Sequence, residues 1–374
     1  MAFRPVEEPK TDLGKYRILS SNAGVRVSPL ALGAMSLGTE WANLLGGVTK
    51  EDSFKLLDYF VESGGNFIDT ANNYQNEESE TILGEWAAAR GNRDLLFIAT
   101  KFTNGFRTHD LGTGKTVNYS GNHKKSLMLS VAASLKKLQT TYIDLLYVHW
   151  WDWTTSVEEL MDSLHILVEQ GKVLYLGISD TPAWVVAAAN TYARAHGKTP
   201  FSVYQGRWNV IDRDFERDII PMARHFGMAL CPWNVLGGGE IKTKAQLEGD
   251  SARYEEQSEY AQKVSEALEK VAAEHGTDSI QQIALAYVMR KARNVFPLVG
   301  CRKQSHLEDN IKALSIRLTD DQMQYLESVK PFDLGFPLNF IGDDPREGNR
   351  RSDLVQSLIG AKIDHPSPQK PVGY

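Results

Sequence analysis

Four residues in this sequence carry side chains whose chemistry interlocks: Asp69, Tyr74, Lys101 and His149. Asp69, Lys101 and His149 stand at or just past the C-terminal ends of short apolar runs, and Tyr74 lies a few residues beyond Asp69. Each has a plainer role when taken singly. An Asp at a strand end caps a turn or helix, a Lys there reaches solvent, and a His beside tryptophans packs. Together, an acid, an amine, an imidazole and a phenol suit carbonyl reduction. A carbonyl carbon that receives hydride leaves an alkoxide, which needs a proton donor as charge develops. A phenol ordinarily titrates near ~10, about three units above neutrality or roughly 4 kcal/mol. A neighbouring ammonium is expected to narrow that gap, with a carboxylate holding the ammonium in place. The imidazole can orient or polarise the carbonyl oxygen.

The elements that must bring these residues together read as alternating strands and helices. Eight short, nearly all-apolar runs are expected as strands: Val27–Leu32, Asn66–Asp69, Leu95–Thr100, Leu145–His149, Val173–Ser179, Ser202–Gln205, Met228–Pro232 and Val295–Gly300. Between them lie amphipathic segments with recognisable starts. Thr49 precedes a stripe of Phe54, Leu57 and Val61, with Asp58 off it in solvent. Ser156 and Glu159 read as a capping box opening Val157–Gln170, and Pro182 fits the first turn of another helix. Later helices are expected over Glu216–Phe226, Glu259–His275, Ser279–Lys291, His306–Leu314 and Thr319–Val329.

Eight such repeats make either a closed (β/α)8 barrel or an open doubly wound sheet. The open sheet needs a glycine fingerprint after an early strand. The one glycine cluster, Gly237-Gly238-Gly239, comes late and lacks the required spacing. The expectation is therefore an α/β TIM barrel in one domain over residues 1–374, with its core at about 16–329. Tyr16–Val27 would form a hairpin floor centred on Asn22-Ala23-Gly24, and 330–374 a C-terminal extension. Thr103–Lys124 is a long Gly-, Thr- and Asn-rich connection of the kind that forms lids. At the C-terminal face of such a barrel, the strand ends carry the chemistry.

Composition narrows the partners. The chain has 374 residues, 42% of them hydrophobic, and 41 basic against 47 acidic residues give a net charge of −6. With no basic block, neither nucleic acid nor an anionic membrane is expected as the main partner. Two cysteines, Cys231 and Cys301, exclude a disulfide framework and a four-thiolate metal site. No His-x-x-x-His or clustered carboxylate spacing suggests a metal. The first ten residues lack the apolar run of a secretory signal, so a cytosolic protein is expected.

The segments Asn66-Phe67-Ile68-Asp69-Thr70-Ala71-Asn72-Asn73-Tyr74, Ile98-Ala99-Thr100-Lys101 and Asp144-Leu145-Leu146-Tyr147-Val148-His149 resemble the aldo-keto reductase superfamily. The resemblance runs from about Tyr16 to Val329. It implies a (β/α)8 barrel binding NADP(H) across its C-terminal face, and a catalytic tetrad of Asp69, Tyr74, Lys101 and His149 with Tyr74 as acid/base. Gly177–Trp184 and Pro232–Gly239 look like fungal aryl-alcohol dehydrogenases and norsolorinic-acid-reductase-like proteins.

The same resemblance implies the cofactor contacts. Ser179, Asp180 and Gln205, with Asp69, match positions around the nicotinamide. Pro232, Trp233, Asn234, Leu236, Gly238 and Lys242 match the segment beneath it and along the pyrophosphate. Gly300, Arg302, Gln304, Asp309 and Asn310 match the adenosine end, where Arg302 and the adjacent Lys303 suit a 2′-phosphate. Most relatives carry Asn at the position of Asp180, and a carboxylate accepts from a carboxamide but does not donate. No aromatic aligns cleanly for stacking on the nicotinamide; Pro232 or Trp233 falls at that place, and Trp233 is preferred. Trp41, Asn73, Trp150 and Trp151, beside Tyr74 and His149, are expected to contact a flat aromatic substrate. The implied function is NADPH-dependent interconversion of aryl aldehydes or ketones and alcohols. The alternatives are a secondary-metabolite (polyketide) ketone reductase, and a cofactor-binding regulatory subunit resembling potassium-channel β-subunits.

Overall fold

In the computed structural model, residues 5–249, 257–342, 344, 359–363 and 370–373 are described. A two-stranded hairpin, β1 (Arg17–Ser20) and β2 (Ala23–Val27), precedes eight parallel strands. These are β3 (Ala31–Gly33), β4 (Phe67–Asp69), β5 (Phe97–Phe102), β6 (Ile143–Val148), β7 (Val173–Ser179), β8 (Phe201–Arg207), β9 (Ala229–Trp233) and β10 (Leu298–Gly300). Each pairs with the next, and β10 pairs back with β3. Between β9 and the approach to β10, Leu230 N–H donates to Asn294 O and Phe296 N–H to Leu230 O, which nearly closes the barrel.

Helices return the chain between strands: α1 (Lys50–Glu62), α2 (Glu78–Arg90), α3 (Lys124–Lys137), α4 (Val157–Glu169), α5 (Ala183–Ala195) and α6 (Ile219–Phe226). They continue as α7 (Glu259–Glu274), α8 (Ile280–Lys291) and α9 (Gln304–Lys312), and α10 (Asp320–Val329) follows the barrel. The side-chain period of two divides each strand between two cores. Phe67, Phe97, Ala99, Leu145, Tyr147, Val203, Ala229 and Cys231 fill the barrel interior. Their neighbours Ile68, Ile98, Leu146, Val148, Leu176, Ile178 and Leu230 pack outward against the helices. Asp69 follows Phe67 and Lys101 follows Ala99 in the inward parity, so the pattern that builds the core also delivers these charges to its upper end. The hairpin closes the lower end, where Leu19, Ala23 and Val27 are buried in the interior cluster.

Several boundaries differ from expectation for identifiable reasons. The first expected strand is two: Val27 ends the hairpin, Ala31 begins the barrel, and Pro29, which has no N–H to donate, separates them. The hairpin turns at Ser21-Asn22, one residue earlier than expected, because Ala23 already pairs with Ser20 and Gly24 lies within the strand. Pro297 shortens the last strand to Leu298–Gly300. The expected helix from Glu216 starts at Ile219, after a separate 3-10 turn at Asp214–Glu216. The helix expected from His306 starts at Gln304 and ends at Lys312.

Ser156 caps Glu159 N–H at 3.1 Å, but the Glu159 carboxylate accepts from Lys124 N–H instead of completing the box. Asp58 is not merely solvated: it accepts two bonds from Arg90 and one from the Trp86 indole. The extension beyond 330 lies partly outside the described residues. Its described contacts run down the outer wall, where Arg217 donates to Asp333 O and Leu334 O, and Arg224 to Asp344. At its far end Gly373 O accepts from Arg317.

Gly84 lets α2 approach the end of α3 closely. A Cβ there would stand 2.1 Å from the Lys137 carbonyl oxygen and 2.7 Å from the Leu138 backbone. Alanine would favour the helix by about 1 kcal/mol, but a clash with backbone has no side chain to yield. Gly84→Ala is therefore expected to destabilise the protein by about 1–3 kcal/mol, read as a lower chemical-denaturation midpoint.

Candidate active site

At the C-terminal mouth the Lys101 ammonium bonds to Asp69 Oδ1 and donates to Thr70 O at 2.7 Å. The second oxygen, Asp69 Oδ2, accepts from the Gln205 amide at 2.9 Å. Both charges are almost fully buried. Register brings them together: Asp69 pairs with Ala99, Lys101 with Tyr147, and Ser179 with Gln205. Lys101 Nζ lies 5.2 Å from the Tyr74 ring centroid and 5.7 Å from that of Tyr147. The imidazole of His149 meets Tyr74 edge-on, with ring centroids 5.9 Å apart. The four expected side chains thus converge.

Electrostatics sets their charge states. Burial pushes the Tyr74 phenol above its ordinary value, and the Lys101 ammonium pulls the other way without offsetting it. The narrowing expected from the ammonium is present, yet desolvation outweighs it. Burial also works against the Lys101 charge, but Asp69 and Tyr74 raise it above the usual lysine value, so it stays an ammonium. His149 is held well below its ordinary value, by burial first and Lys101 second, and is neutral at pH 7. Its Nδ1 is buried without a hydrogen-bond partner.

Tyr74 stands on a turn outside the sheet, clasped by the loop after β3. The Gln75 amide accepts from Trp41 N–H at 2.7 Å and donates to Met35 O at 2.8 Å. The Trp41 indole donates to Asn76 at 3.1 Å, and its ring meets Tyr74 edge-on at 6.2 Å. Trp41, expected against substrate, is seen here to hold the turn. Asn73 is half-buried, with its Oδ1 enclosed and unpartnered. Trp150 tilts over His149 at 4.6 Å, whereas Trp151 packs against the outer core.

The expected cofactor residues fall into two groups. At the nicotinamide end, the Ser179 hydroxyl is buried without a partner, and Asp180 follows at φ 40°. The Trp233 indole donates to Asp180 Oδ1 at 3.2 Å, which sets Trp233 beside it. Asp180 is exposed as a residue, yet the strand ends around its carboxyl withdraw enough water to push it up to about 6. The Trp233 indole and nearby cations oppose that rise. Pro232 is buried in β9. Asn234 turns the chain at φ 59°, with its carbonyl bonded to Asn209. Leu236 leads into Gly237, Gly238 and Gly239, all at positive φ, so this glycine run is a conformational requirement rather than a slack loop. The Lys242 carbonyl accepts from Gln257 at 3.1 Å.

At the adenosine end, Gly300 closes β10 with open space where a Cβ would stand, and Arg302 is exposed beside Gly46. Gln304 donates to Glu308. Two expected contacts turn elsewhere. The Asp309 carboxylate is taken by the Ser279 hydroxyl and by Gln282 at 2.6 Å, which pins α9 to α8. Asn310 is buried and donates to Cys301 Sγ at 3.4 Å. A nicotinamide dinucleotide fits the first group, where an enclosed, unpartnered hydroxyl lies near the ion pair.

Sequence reasoning missed two contributors. Gln75 carries no signal beyond following Tyr74. Tyr147 is legible, because it precedes His149 by two residues on the inward parity of β6. Its ring packs against residue 177, which has room for it only as Gly: a Cβ there would stand 2.5 Å from two ring carbons. Among the described residues no group of His, Cys, Asp and Glu is arranged for a metal, and no helix is long and apolar enough to cross a membrane.

Comparison with known proteins gives a consistent result. The model of the Aldo/keto reductase family matches residues 29–331. The chain is 63% identical to the Saccharomyces cerevisiae protein named "Probable aryl-alcohol dehydrogenase AAD4", over 86% of this chain and 100% of that one. It is 54% identical to the aldo-keto reductase ausK of Aspergillus calidoustus, covering 100% and 96% of the two chains. Norsolorinic acid reductase of Aspergillus flavus is 49% identical over 100% of this chain and 96% of its own.

The buried pair yields a stability test. Lys101→Met leaves the Asp69 carboxylate buried without its cation and is expected to cost about 3–5 kcal/mol. Adding Asp69→Asn removes that charge. The double variant should therefore unfold at higher denaturant than Lys101→Met by itself, opposite to additive losses.

Proposed function

The chain belongs to the aldo-keto reductase family and is an oxidoreductase, and from this we propose NADPH-dependent interconversion of aromatic aldehydes or ketones and alcohols, with Tyr74 as acid and base. The observation that carries this reading is the buried Asp69–Lys101 pair beneath Tyr74, with neutral His149 at the phenol's edge. When bound, a nicotinamide would supply the hydride for the carbonyl carbon. Ser179, Asp180 and Gln205 would hold its carboxamide, Trp233 its ring, and the Pro232–Lys242 segment the pyrophosphate. Tyr74 is protonated at neutral pH and gives its proton to the developing alkoxide. Lys101 then faces the phenolate, and Asp69 keeps Lys101 charged and in place. His149 orients the carbonyl oxygen without competing for the proton. Trp41 and Trp150 flank Tyr74 and His149 and suit a flat apolar substrate.

Tyr74→Phe is expected to lower turnover of a benzaldehyde by roughly two orders of magnitude or more, with NADPH affinity unchanged. Turnover near the parent's would end the assignment. In the reverse direction the phenol must first lose its proton, and burial holds that step above its ordinary range. Alcohol oxidation in the parent should thus rise about tenfold per pH unit between pH 7 and 9. Reduction should stay level from pH 7 to 8, since Tyr74 stays protonated, His149 neutral and Asp180 ionised over that range.

Cofactor choice rests on the cations after β10. Arg302 can grip a 2′-phosphate in a bidentate way, with Lys303 as its neighbour. One charge-assisted contact is worth roughly 1.5–3 kcal/mol, so Arg302→Ala should weaken NADPH binding tens-fold or more. NADH affinity should hardly change when both are titrated by fluorescence quenching. Equal losses for the two would remove Arg302 from this role.

A further inference from the structure

Tyr74 is followed by three non-glycine residues in the left-handed region: Gln75 at φ 51°, Asn76 at φ 49° and Glu77 at φ 80°. Such a run persists only where its surroundings over-determine it. Gln75 and Asn76 are fixed by the loop after β3, and Glu77 is fixed from the opposite side. There Lys137, the last residue of α3, lies 2.9 Å from Glu77 Oε1 and 2.7 Å from Glu80 Oε2. It also donates to Asn72 O at 2.9 Å. Asn72 precedes Tyr74 and Glu77 follows it, so one cation grips both ends of the segment that carries the phenol. Glu80, wholly buried, accepts from the Thr100 hydroxyl at 2.5 Å through its other oxygen. Thr100 is the neighbour of Lys101 on β5. The buried Phe106, from the long connection after β5, covers the Lys137 ammonium, with its ring centroid 5.2 Å away.

We propose that Lys137 is a positioning residue that sets where the Tyr74 hydroxyl stands relative to Lys101, by joining Asn72, Glu77 and Glu80 through one enclosed ammonium. The inference rests on the reading of Tyr74 as proton donor. All three partners belong to the turn that carries Tyr74 or to the helix that follows it, and none of these contacts serves to cap α3. Without the cation, the Glu77 and Glu80 carboxylates lose the charge between them, and the left-handed run is free to relax toward ordinary backbone. That shift moves the phenol, and a displacement of about 1 Å at a reacting group costs on the order of a hundred-fold in rate.

The test compares Lys137→Met, Glu77→Gln and their double variant with Tyr74→Phe, reading aldehyde reduction and NADPH binding separately. The expected kcat losses are about a hundred-fold in Lys137→Met and about tenfold in Glu77→Gln. KM for the aldehyde and NADPH affinity by fluorescence quenching should stay within about twofold of the parent. The double variant should lose no more than Lys137→Met by itself, since both break one contact. Where Lys137→Met does not fold, Glu77→Gln decides, because it leaves the Lys137–Glu80 pair intact. A kcat within twofold of the parent in the folded variants overturns the proposal. So does a kcat loss matched by an equal loss of NADPH affinity, which marks general disturbance of the mouth. An inactive Tyr74→Phe beside an unaffected Lys137→Met sinks this inference alone; an active Tyr74→Phe sinks the proton-donor reading and this inference with it.

Discussion

The ion pair between Asp69 and Lys101 is the constraint around which the mouth of this barrel is arranged. Two opposite charges removed from water stay favourable only if the geometry is tight and the remaining donors and acceptors are satisfied. Here the second carboxylate oxygen goes to Gln205 and a second ammonium proton to Thr70 O. The pair thereby ties β4 to β5 and reaches across the barrel to β8. A satisfied pair of this kind is a fixed electrostatic fixture, and the Tyr74 phenol is seated over it. The same desolvation that makes the pair costly raises Tyr74 and lowers His149, leaving an ion pair and two neutral groups poised around a single point.

Much of this was legible in the sequence, because barrel strands obey a strict parity. Phe67 and Asp69, Ala99 and Lys101, and Val203 and Gln205 each share a face, so locating the strand also locates the inward side chain. Helix starts at Thr49, Ser156 and Thr319 were equally readable, since a side-chain oxygen there must satisfy an N–H with no helical partner. What stayed hidden depends on tertiary partners. Nothing local says that Glu159 turns to Lys124 N–H instead of its own cap, or that Asp309 is spent on Ser279 and Gln282.

The tryptophans make the same point from the other side. Their clustering after His149 suggested a shared surface, but residues consecutive in a loop do not face one way. Trp150 leans on His149, Trp151 on the outer core, and Trp153, at φ 61°, lies near Trp184 on α5. Arrangement in loops follows from hydrogen bonds that close them, and these lack a period. Asp152 shows this, accepting from Asn122, Thr154 and Thr155 and so fastening two separate connections together.

The hairpin at the lower end of the barrel joins the packed interior, so the ion pair at the mouth stands on apolar packing. Leu19, Ala23 and Val27 are buried in one apolar cluster with Phe67, Phe97, Leu145 and Val203, the inward side chains of the strands that carry the ion pair and its neighbours. A molecule that settles in the mouth displaces water from above the ion pair, with apolar packing already below it. The local dielectric around Lys101 then falls as the mouth fills, and every charge interaction at that point strengthens with it. The floor, far from the mouth, thus lets occupancy itself strengthen the field that Lys101 exerts on the groups around it.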